Sequence, residues 1–337
     1  DGLHIPIAHP GLTRLFGRGY GIEAEEHVDR MWGALSKLTF PNKDYAKLHD
    51  ATFPHGAWWD PMPEQSRPRI LGCMGHAILG TGEGENMAEL HLHYSGTHGH
   101  EHYDALNIIL FARGRELISE TRYRDTPGWP TTREWHTMTA GHNTVVIDER
   151  NQEGRFPDVS HRRPITAADA MTGIGQYAGM LVDIPDWRYR DGGHGNALND
   201  PKLRCFVPEW DTVQVAEAEA ERAYFPDPEV YRRTVALVRI DGREVYAVDI
   251  FRVRGGAVHD WMLHGCLQDP YEVTTSLDLA PMAGTLHTYL TDLRAAPADE
   301  AWVADFTYEA GAQMRTHLLG QPGAQAILAR GPAMRRD

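Results

Sequence analysis

The sequence predicts a mainly β protein, a large antiparallel β-sandwich that follows a short α-helical N-terminal segment. From residue 65 onward the apolar residues occur in short segments, and many of these alternate with polar residues. Gly, Pro, Asn and Asp separate the segments, as is typical of successive antiparallel strands. The tight turn Ile240-Asp241-Gly242-Arg243 between two such segments indicates a β-hairpin.

We predict about a dozen strands in this part of the chain. The run VQVAEAEAE at residues 213–221 contains helix-favouring Ala and Glu, but its strict alternation fits a half-exposed strand better. The predicted strands are Ile70–Leu79, Met87–Tyr94, Ala105–Ala112, Glu116–Tyr123, Asn143–Asp148, Thr212–Glu221, Val230–Ile240, Glu244–Val253, Ala257–Cys266, Leu286–Leu290, Trp302–Tyr308, Gln313–Leu319 and Gln325–Ala329.

The N-terminal part has a different pattern. Residues Ile22–Leu38 have acidic residues early, a Lys late and apolar residues near one face, which predicts a helix. The Pro-rich stretch Phe53–Pro68 indicates a boundary. We therefore predict a helical or irregular segment over residues 1–64 and a sandwich domain over 65–337, with extended loops over 149–204. The chain opens without Met, so we expect a fragment or a processed product.

Composition excludes several classes of protein. The formal net charge is -14, which argues against general nucleic-acid binding. No apolar run approaches the roughly 20 residues that a membrane-spanning helix needs. The three cysteines have no spacing that predicts disulfides or a thiolate metal site. Residues 111–163 contain nine Arg and no Lys, so this segment could bind carboxylates despite the acidic total.

Histidines concentrate around the stretch GTHGHEHYD at residues 96–104, where His98, His100 and His102 occur at every second position. On an extended strand these rings point to one face. Glu120, at the end of a predicted strand, and His142, at the start of the next, could complete a site of two histidines and one carboxylate with an open position. The alternative is that these histidines are ordinary hydrogen-bonded residues.

Two longer segments carry a family resemblance. HEHYDALNIILFARGRELISE and REWHTMTAGHNTVVIDERNQ resemble the sheet domain of the heparinase II/III-like polysaccharide lyases, over roughly residues 65–270. The resemblance implies that His102, Glu120 and His142 are metal ligands, with zinc as the metal, and that His100 lines the substrate cleft. The chain differs from the family in having Gly141 inside the A-H-N motif and Glu rather than Asp at 120, which leaves Asp125 as an alternative ligand.

The resemblance also implies a reaction, β-elimination next to a uronic acid in an acidic polysaccharide. Such a reaction needs a base, an acid and a group that offsets the carboxylate charge. His100 is our candidate base or acid, Arg122 and Arg124 could bind substrate carboxylates, and Trp135 could stack on a sugar ring. The family has an N-terminal (α/α) toroid that contributes further catalytic groups, and residues 1–64 resemble its end. A bacterial periplasmic or extracellular location is expected from the same resemblance.

Two other functions stay open. The chain could be a non-catalytic carbohydrate-binding or structural module whose metal joins the sheets. It could also be a metal-dependent glycan hydrolase in which an open zinc position activates water. Which uronate polymer would be cleaved, and whether from its ends, does not follow from the sequence.

Overall fold

The structure is a computed structural model, and it describes residues 38, 40, 65–72, 75–94, 102–121, 135–136, 138–152, 163–164, 181–182, 201–209, 212–224, 226–241, 244–267, 269–284, 286–287 and 289–332. The predicted N-terminal helix lies outside these residues except for Leu38. So does most of the connection predicted over 149–204. The boundary between residues 64 and 65 stays a prediction.

Antiparallel strands dominate the described residues, which confirms the mainly β fold class. Short runs of alternating or β-branched residues between turns produce them. The strands are β1 Arg69–Leu71, β2 His76–Thr81, β3 Ala88–His93, β4 Asn107–Ala112, β5 Arg115–Ile118, β6 Val145–Ile147, β7 Arg163–Pro164, β8 Leu181–Val182, β9 Lys202–Val207, β10 Val213–Glu219, β11 Val230–Arg239, β12 Val245–Arg254, β13 His259–Trp261, β14 Tyr271–Thr275, β15 Ala280–Pro281, β16 Thr291–Pro297, β17 Trp302–Tyr308, β18 Gln313–Leu318 and β19 Gln325–Arg330.

Two of the sheets pack face to face. The first has the strand order β1-β2-β3-β4-β5, and the second has the order β12-β11-β10-β9. Burial alternates along β10 and β11 because successive side chains of a strand point to opposite faces. The main apolar core lies between the sheets and contains Leu79, Leu90 and Ile108 from the first, with Ala216 and Val235 from the second.

The first sheet is also covered on its opposite face. Every residue of β2 and β3 is buried, which a sheet with one solvated face would not show. On this face Ile78 and Ile109 pack with Phe40, whose ring stacks on that of Phe111 at a centroid distance of 4.8 Å. Polar side chains on this face are therefore buried as well.

The remaining sheets are smaller. Strands β14-β17-β18 and β15-β16-β19 form two three-stranded sheets, and β6 pairs with β13 in a two-stranded one. Phe306 and Tyr308 of β17 join Leu117 and Cys266 in a third apolar cluster, which attaches this sheet to the sandwich. Within the described residues, no helix is long and apolar enough to cross a membrane.

The strand predictions differ from the structure in a few places. The alternating segment at 213–219 is β10, so that prediction is confirmed. The predicted strand Ile70–Leu79 is instead two antiparallel strands: Gly75, whose φ is +60°, donates its backbone N–H to the Gly72 carbonyl oxygen at 3.2 Å. The predicted strand Leu286–Leu290 is wrong: it is a turn, closed by Leu290 N–H donating to the His287 carbonyl oxygen at 3.2 Å. Six of the strands given above were not predicted: β7, β8, β9, β14, β15 and β16. Of these, β7, β8 and the first residues of β9 lie where extended loops were predicted.

Candidate metal centre

Three predicted ligands, His102, Glu120 and His142, converge at one buried point. Glu120 Oε1 lies 2.8 Å from His142 Nε2 and 3.2 Å from His102 Nδ1. The two facing imidazole nitrogens are 3.0 Å apart. None of the three side chains has exposed surface. Among the described residues, this is the only group of His, Cys, Asp or Glu side chains whose donor atoms lie close enough together to hold a metal ion.

The β4–β5 hairpin brings His102 and Glu120 to the same end of the sheet. His102 lies in the connection that enters β4, and Glu120 follows the last residue of β5 by two. In an antiparallel hairpin the start of one strand lies beside the end of the other. His142 follows a 3₁₀ turn over Thr139–Gly141 that leads into β6. The ligands thus lie in connections rather than on adjacent strands as predicted, and β6 pairs with β13 instead of β5.

Gly141, the residue that interrupts the A-H-N motif, allows this turn to approach Trp135. A Cβ atom at position 141 would lie 2.3 Å from the Trp135 carbonyl oxygen, much closer than van der Waals contact allows. The Gly141 carbonyl oxygen accepts a hydrogen bond from the Thr121 hydroxyl, next to Glu120 in the chain. The turn that carries His142 is therefore tied to the segment that carries Glu120.

Hydrogen bonding sets the tautomer of His142. Its Nδ1 lies 2.9 Å from the Met138 carbonyl oxygen, which can only accept. Nδ1 therefore carries the proton, and a neutral ring presents an unprotonated Nε2 to Glu120 Oε1. A nitrogen lone pair and a carboxylate oxygen in such close approach need a proton or a cation between them. Two imidazoles and one carboxylate are ligands that zinc accepts, so these residues fit a metal ion.

The electrostatics of Glu120 favour its charged form. Burial by itself raises the pKa of this carboxyl, but His142 and His102 lower it further than burial raises it when a proton or a cation lies between their nitrogens and Oε1. The net pKa lies well below the ordinary value for Glu. Glu120 is thus an ionised carboxylate in the neutral pH range, the form that binds metals.

A comparison with protein families identifies the family whose sequence pattern contains the three candidate ligands. The profile described as heparinase II/III-like, C-terminal matches residues 90–315, which is more than half of the chain. The chain belongs to the heparinase II/III-like family. The search of curated proteins gave no match.

Solved structures of heparinase-type proteins are similar to the chain at low identity. Heparan sulfate lyase HepC from Pedobacter heparinus is 10% identical, with a TM-score of 0.49, and the match covers 100% of this chain and 52% of that one. Heparinase III, the BT4657 gene product, is 10% identical, with a TM-score of 0.47 and coverage of 89% and 53%. The chain spans about half the length of these proteins. The family assignment depends on the profile match alone.

In this heparinase II/III-like chain, His264 lies beside the three ligands. Its Nε2 is 3.0 Å from the Ala140 carbonyl oxygen, and its backbone N–H donates to Asn143 Oδ1 at 2.6 Å. Burial is the main reason that the pKa of His264 is lowered to about 4, so its ring is neutral at pH 7. His264 was not among the predicted site residues.

Trp135 packs against this region. Its ring contacts those of His264 and Tyr289 at centroid distances of 5.8 and 6.2 Å. The residue is 4% exposed and belongs to a small cluster with Ala140 and Val146. Stacking of a sugar on this indole would need part of the packing to open, and the predicted role stays a prediction.

A second group of buried histidines was not predicted as a group, and we call it the histidine chain. It consists of His76, His91 and His93 on β2 and β3. His76 Nε2 lies 2.9 Å from His91 Nδ1, and His76 Nδ1 lies 3.2 Å from His93 Nδ1. At the far ends, His91 Nε2 is 3.1 Å from Glu89 Oε2 and His93 Nε2 is 3.7 Å from Asp104 Oδ2. The H-x-H spacing in β3, which puts two rings on one face, was the pattern that could have revealed it.

Glu89 joins the histidine chain to a cation. Its two oxygens accept hydrogen bonds from the Arg69 guanidinium at 2.9 and 3.0 Å, and Ser66 Oγ donates to Oε1 at 2.6 Å. Burial raises the pKa of Glu89, but the His91 hydrogen bond and the Arg69 charge bring it down to about 2. Burial lowers the pKa of His91. The histidine chain therefore begins at an ionised carboxylate and a neutral imidazole.

The other predicted site residues, His100, Arg122, Arg124 and Asp125, lie outside the described residues. Their predicted roles in catalysis, substrate binding or metal binding stay predictions.

Proposed function

We propose that this chain is part of a polysaccharide lyase that cleaves a uronic-acid-containing polysaccharide by β-elimination. The observation that carries the proposal is the convergence of His102, Glu120 and His142 in a chain whose motifs belong to the heparinase II/III-like family. The similar solved structures are those of heparinase III and a heparan sulfate lyase, which is consistent with an acidic polysaccharide as substrate.

The metal in this proposal is zinc. His102 and His142 would each supply an imidazole nitrogen and Glu120 a carboxylate oxygen, a donor set typical of zinc sites. When bound, the ion would supply three bonds that tie together the entry to β4, the end of β5 and the turn before β6. Because the three side chains have no exposed surface, we favour this structural role over direct contact with substrate.

His100 is the proposed base or acid of the reaction. It precedes His102 by two residues, so fixing His102 also restricts where His100 can lie. β-Elimination requires removal of the C5 proton of the uronate and protonation of the departing O4, and an imidazole with a pKa near neutrality can do either. Arg122 and Arg124 would bind substrate carboxylates, and Trp135 would contact a sugar ring.

The remaining catalytic groups are proposed to come from an (α/α) toroid, as the family resemblance implies. An elimination needs the uronate carboxylate to be neutralised so that its C5 proton becomes acidic. In the described residues the sandwich and the candidate metal site can position catalytic groups, but they form no enclosure around a sugar chain. We propose that the complete protein acts in the bacterial periplasm or outside the cell, where such polysaccharides occur.

The proposal is tested by incubating the natural full-length protein with heparan sulfate, hyaluronan and alginate. A lyase produces an unsaturated uronate, which is detected by its ultraviolet absorbance. New reducing ends without that absorbance would instead identify a hydrolase, and binding without cleavage would identify a carbohydrate-binding module. In the lyase case we expect His100→Ala to lower kcat by about 10²-fold or more, whereas the exposed His317→Ala serves as the control and leaves it unchanged.

A further inference from the structure

The two oxygens of the Glu120 carboxylate have different partners. Oε1 faces His142 Nε2 and His102 Nδ1, the atoms that would share a metal ion. Oε2 accepts a hydrogen bond from Nδ2 of Asn107, the first residue of β4. A carboxylate can bind a metal through one oxygen or through both. A donor that occupies Oε2 therefore influences whether Glu120 binds with one oxygen or with two.

The orientation of the Asn107 amide is determined by its other partner. Its Oδ1 accepts a hydrogen bond from the Asn143 backbone N–H at 2.9 Å. A flipped amide would direct an NH₂ group at that N–H and a carbonyl oxygen at the Glu120 carboxylate, and both contacts would be repulsive. Asn107 is completely buried, so water cannot substitute for either partner. It therefore presents a donor to Glu120 and an acceptor to the residue that follows His142.

Asn143 is held in turn by the strands around it. Its Nδ2 donates to the carbonyl oxygens of Ile108 at 3.3 Å and Ser119 at 3.0 Å, one on each side of the β4–β5 hairpin. Its Oδ1 accepts from the His264 backbone N–H at 2.6 Å. The position of Asn107 is thus fixed by a residue that is itself anchored to three segments.

A buried arginine from the second sheet completes this frame. Arg233 donates to the carbonyl oxygens of Leu106, at 2.6 Å, and of Asn143. Leu106 directly precedes Asn107 and has a φ of +64°, a left-handed conformation that is unfavourable for Leu and needs support from its surroundings. Asp249 fixes the guanidinium with two hydrogen bonds at 2.8 and 2.7 Å.

We propose that Asn107 is a positioning residue that occupies Glu120 Oε2 and restricts this carboxylate to binding the metal ion through Oε1 alone. The inference depends on the metal site of the proposed function, but not on lyase activity. A single carboxylate oxygen with two imidazoles leaves the fourth position of a tetrahedral zinc ion open. With Asn107 removed, Oε2 is free to turn toward the ion, and Glu120 loses the group that orients it.

The test compares zinc and cobalt binding by the full wild-type chain with binding by Asn107→Ala and by Asn107→Ser. Zinc affinity is measured by competition with a chromophoric chelator, and the visible absorption of bound Co²⁺ reports its coordination number. We expect Asn107→Ala to bind zinc about 10- to 100-fold more weakly and to show the weaker absorption of Co²⁺ with more than four ligands. The Ser hydroxyl can still donate and accept a hydrogen bond. Asn107→Ser should therefore recover part of the zinc affinity and part of the wild-type Co²⁺ absorption.

Gln214→Ala is the matched control, because Gln214 is also a buried amide that pairs with backbone groups, accepting from Gly80 N–H and donating to Gly80 O, both at 2.8 Å. It should lose stability without any change in zinc affinity or in the Co²⁺ spectrum. Equal affinities and spectra for wild type and Asn107→Ala would overturn the inference, and so would a wild-type chain that binds neither metal. Normal metal behaviour in a protein that fails to cleave polyuronates would count against the proposed function alone.

Discussion

Residues that are not candidate ligands fix two of the three side chains of the candidate metal centre. The Met138 carbonyl oxygen sets the tautomer of His142, and Asn107 occupies one oxygen of Glu120. The sequence predicted the three ligands because histidines and an acidic residue occurred in a recognisable pattern. It did not predict Asn107, because an amide at the start of a strand gives no indication of which distant side chain it contacts.

The close approach of Gly141 to Trp135 leads to a prediction at this scale. Gly141→Ala places a methyl group 2.3 Å from the Trp135 carbonyl oxygen, so the turn before His142 has to shift. We expect a loss of about 1–3 kcal/mol in the free energy of unfolding, together with weaker zinc binding, measured by urea titration and chelator competition. Gly72→Ala is the control, because its nearest contact is a side-chain atom 4.0 Å away. Equal effects of the two substitutions would contradict this account.

Alternation determined which strands could be predicted. β10 and β11 alternate between buried and half-buried positions, so their pattern is visible in the sequence. β16 has few strongly apolar residues and ends at Pro297, so its residues resemble a connection. β9 contains Leu203, Phe206 and Val207, but it directly follows a stretch rich in Gly, Pro and charged residues, which predicted loops as far as residue 204. The histidine chain lies on β2 and β3, which are buried on both faces. The sequence of these strands does not show that distant residues such as Phe40 cover the face that carries the histidines.

The histidine chain should make stability depend on pH. Burial holds the pKa of His91 below its ordinary value of about 6.5. As the pH falls below that value, the unfolded chain binds a proton at His91 that the folded chain does not, so stability decreases. Glu89, with a pKa of about 2, adds a second loss that begins below its ordinary pKa, near pH 4.5, and continues toward pH 2.

The free energy of unfolding, measured in urea between pH 7.5 and pH 5.5, should therefore fall with decreasing pH. Substituting His91→Gln should reduce the slope by up to about 1.4 kcal/mol per pH unit, whereas His317→Gln, at an exposed position of β18, should leave the slope unchanged. The polar and charged residues around His91 are His76, Glu89 and Arg69. None of them is substituted in either variant. A slope that is the same in wild type and His91→Gln would contradict the burial of a neutral ring.

At the scale of the whole molecule, the sandwich was predictable but its pairings were not. Short strands separated by turns imply antiparallel sheets with a shared core. Which strands pair depends on contacts between residues that are distant in the sequence, such as Ile147 with His259 in the β6–β13 pair. Arg233 shows most clearly what the sequence does not predict. An arginine in an alternating strand is expected to be exposed to solvent, but Arg233 is completely buried.

Arg233 should be a major contributor to stability because it links the two sheets. Arg233→Ala removes the donor of two buried carbonyl oxygens and leaves the Asp249 carboxylate with the Trp261 Nε1–H, at 3.2 Å, in place of the guanidinium. We expect a loss of about 3–5 kcal/mol in the free energy of unfolding. The control is Arg254→Ala, which removes an exposed ion pair with Glu229 and should cost less than about 1 kcal/mol. Calorimetry or urea titration measures both, and similar losses would argue against the bridging role.

The central claim is that His102, Glu120 and His142 bind one metal ion. Elemental analysis of the purified, dialysed chain tests it most directly, with His102→Ala and His142→Ala analysed in parallel. We predict one zinc ion per wild-type chain and none in either variant. A metal-free wild-type chain that takes up no zinc on titration, or an unchanged metal content in both variants, would contradict the account.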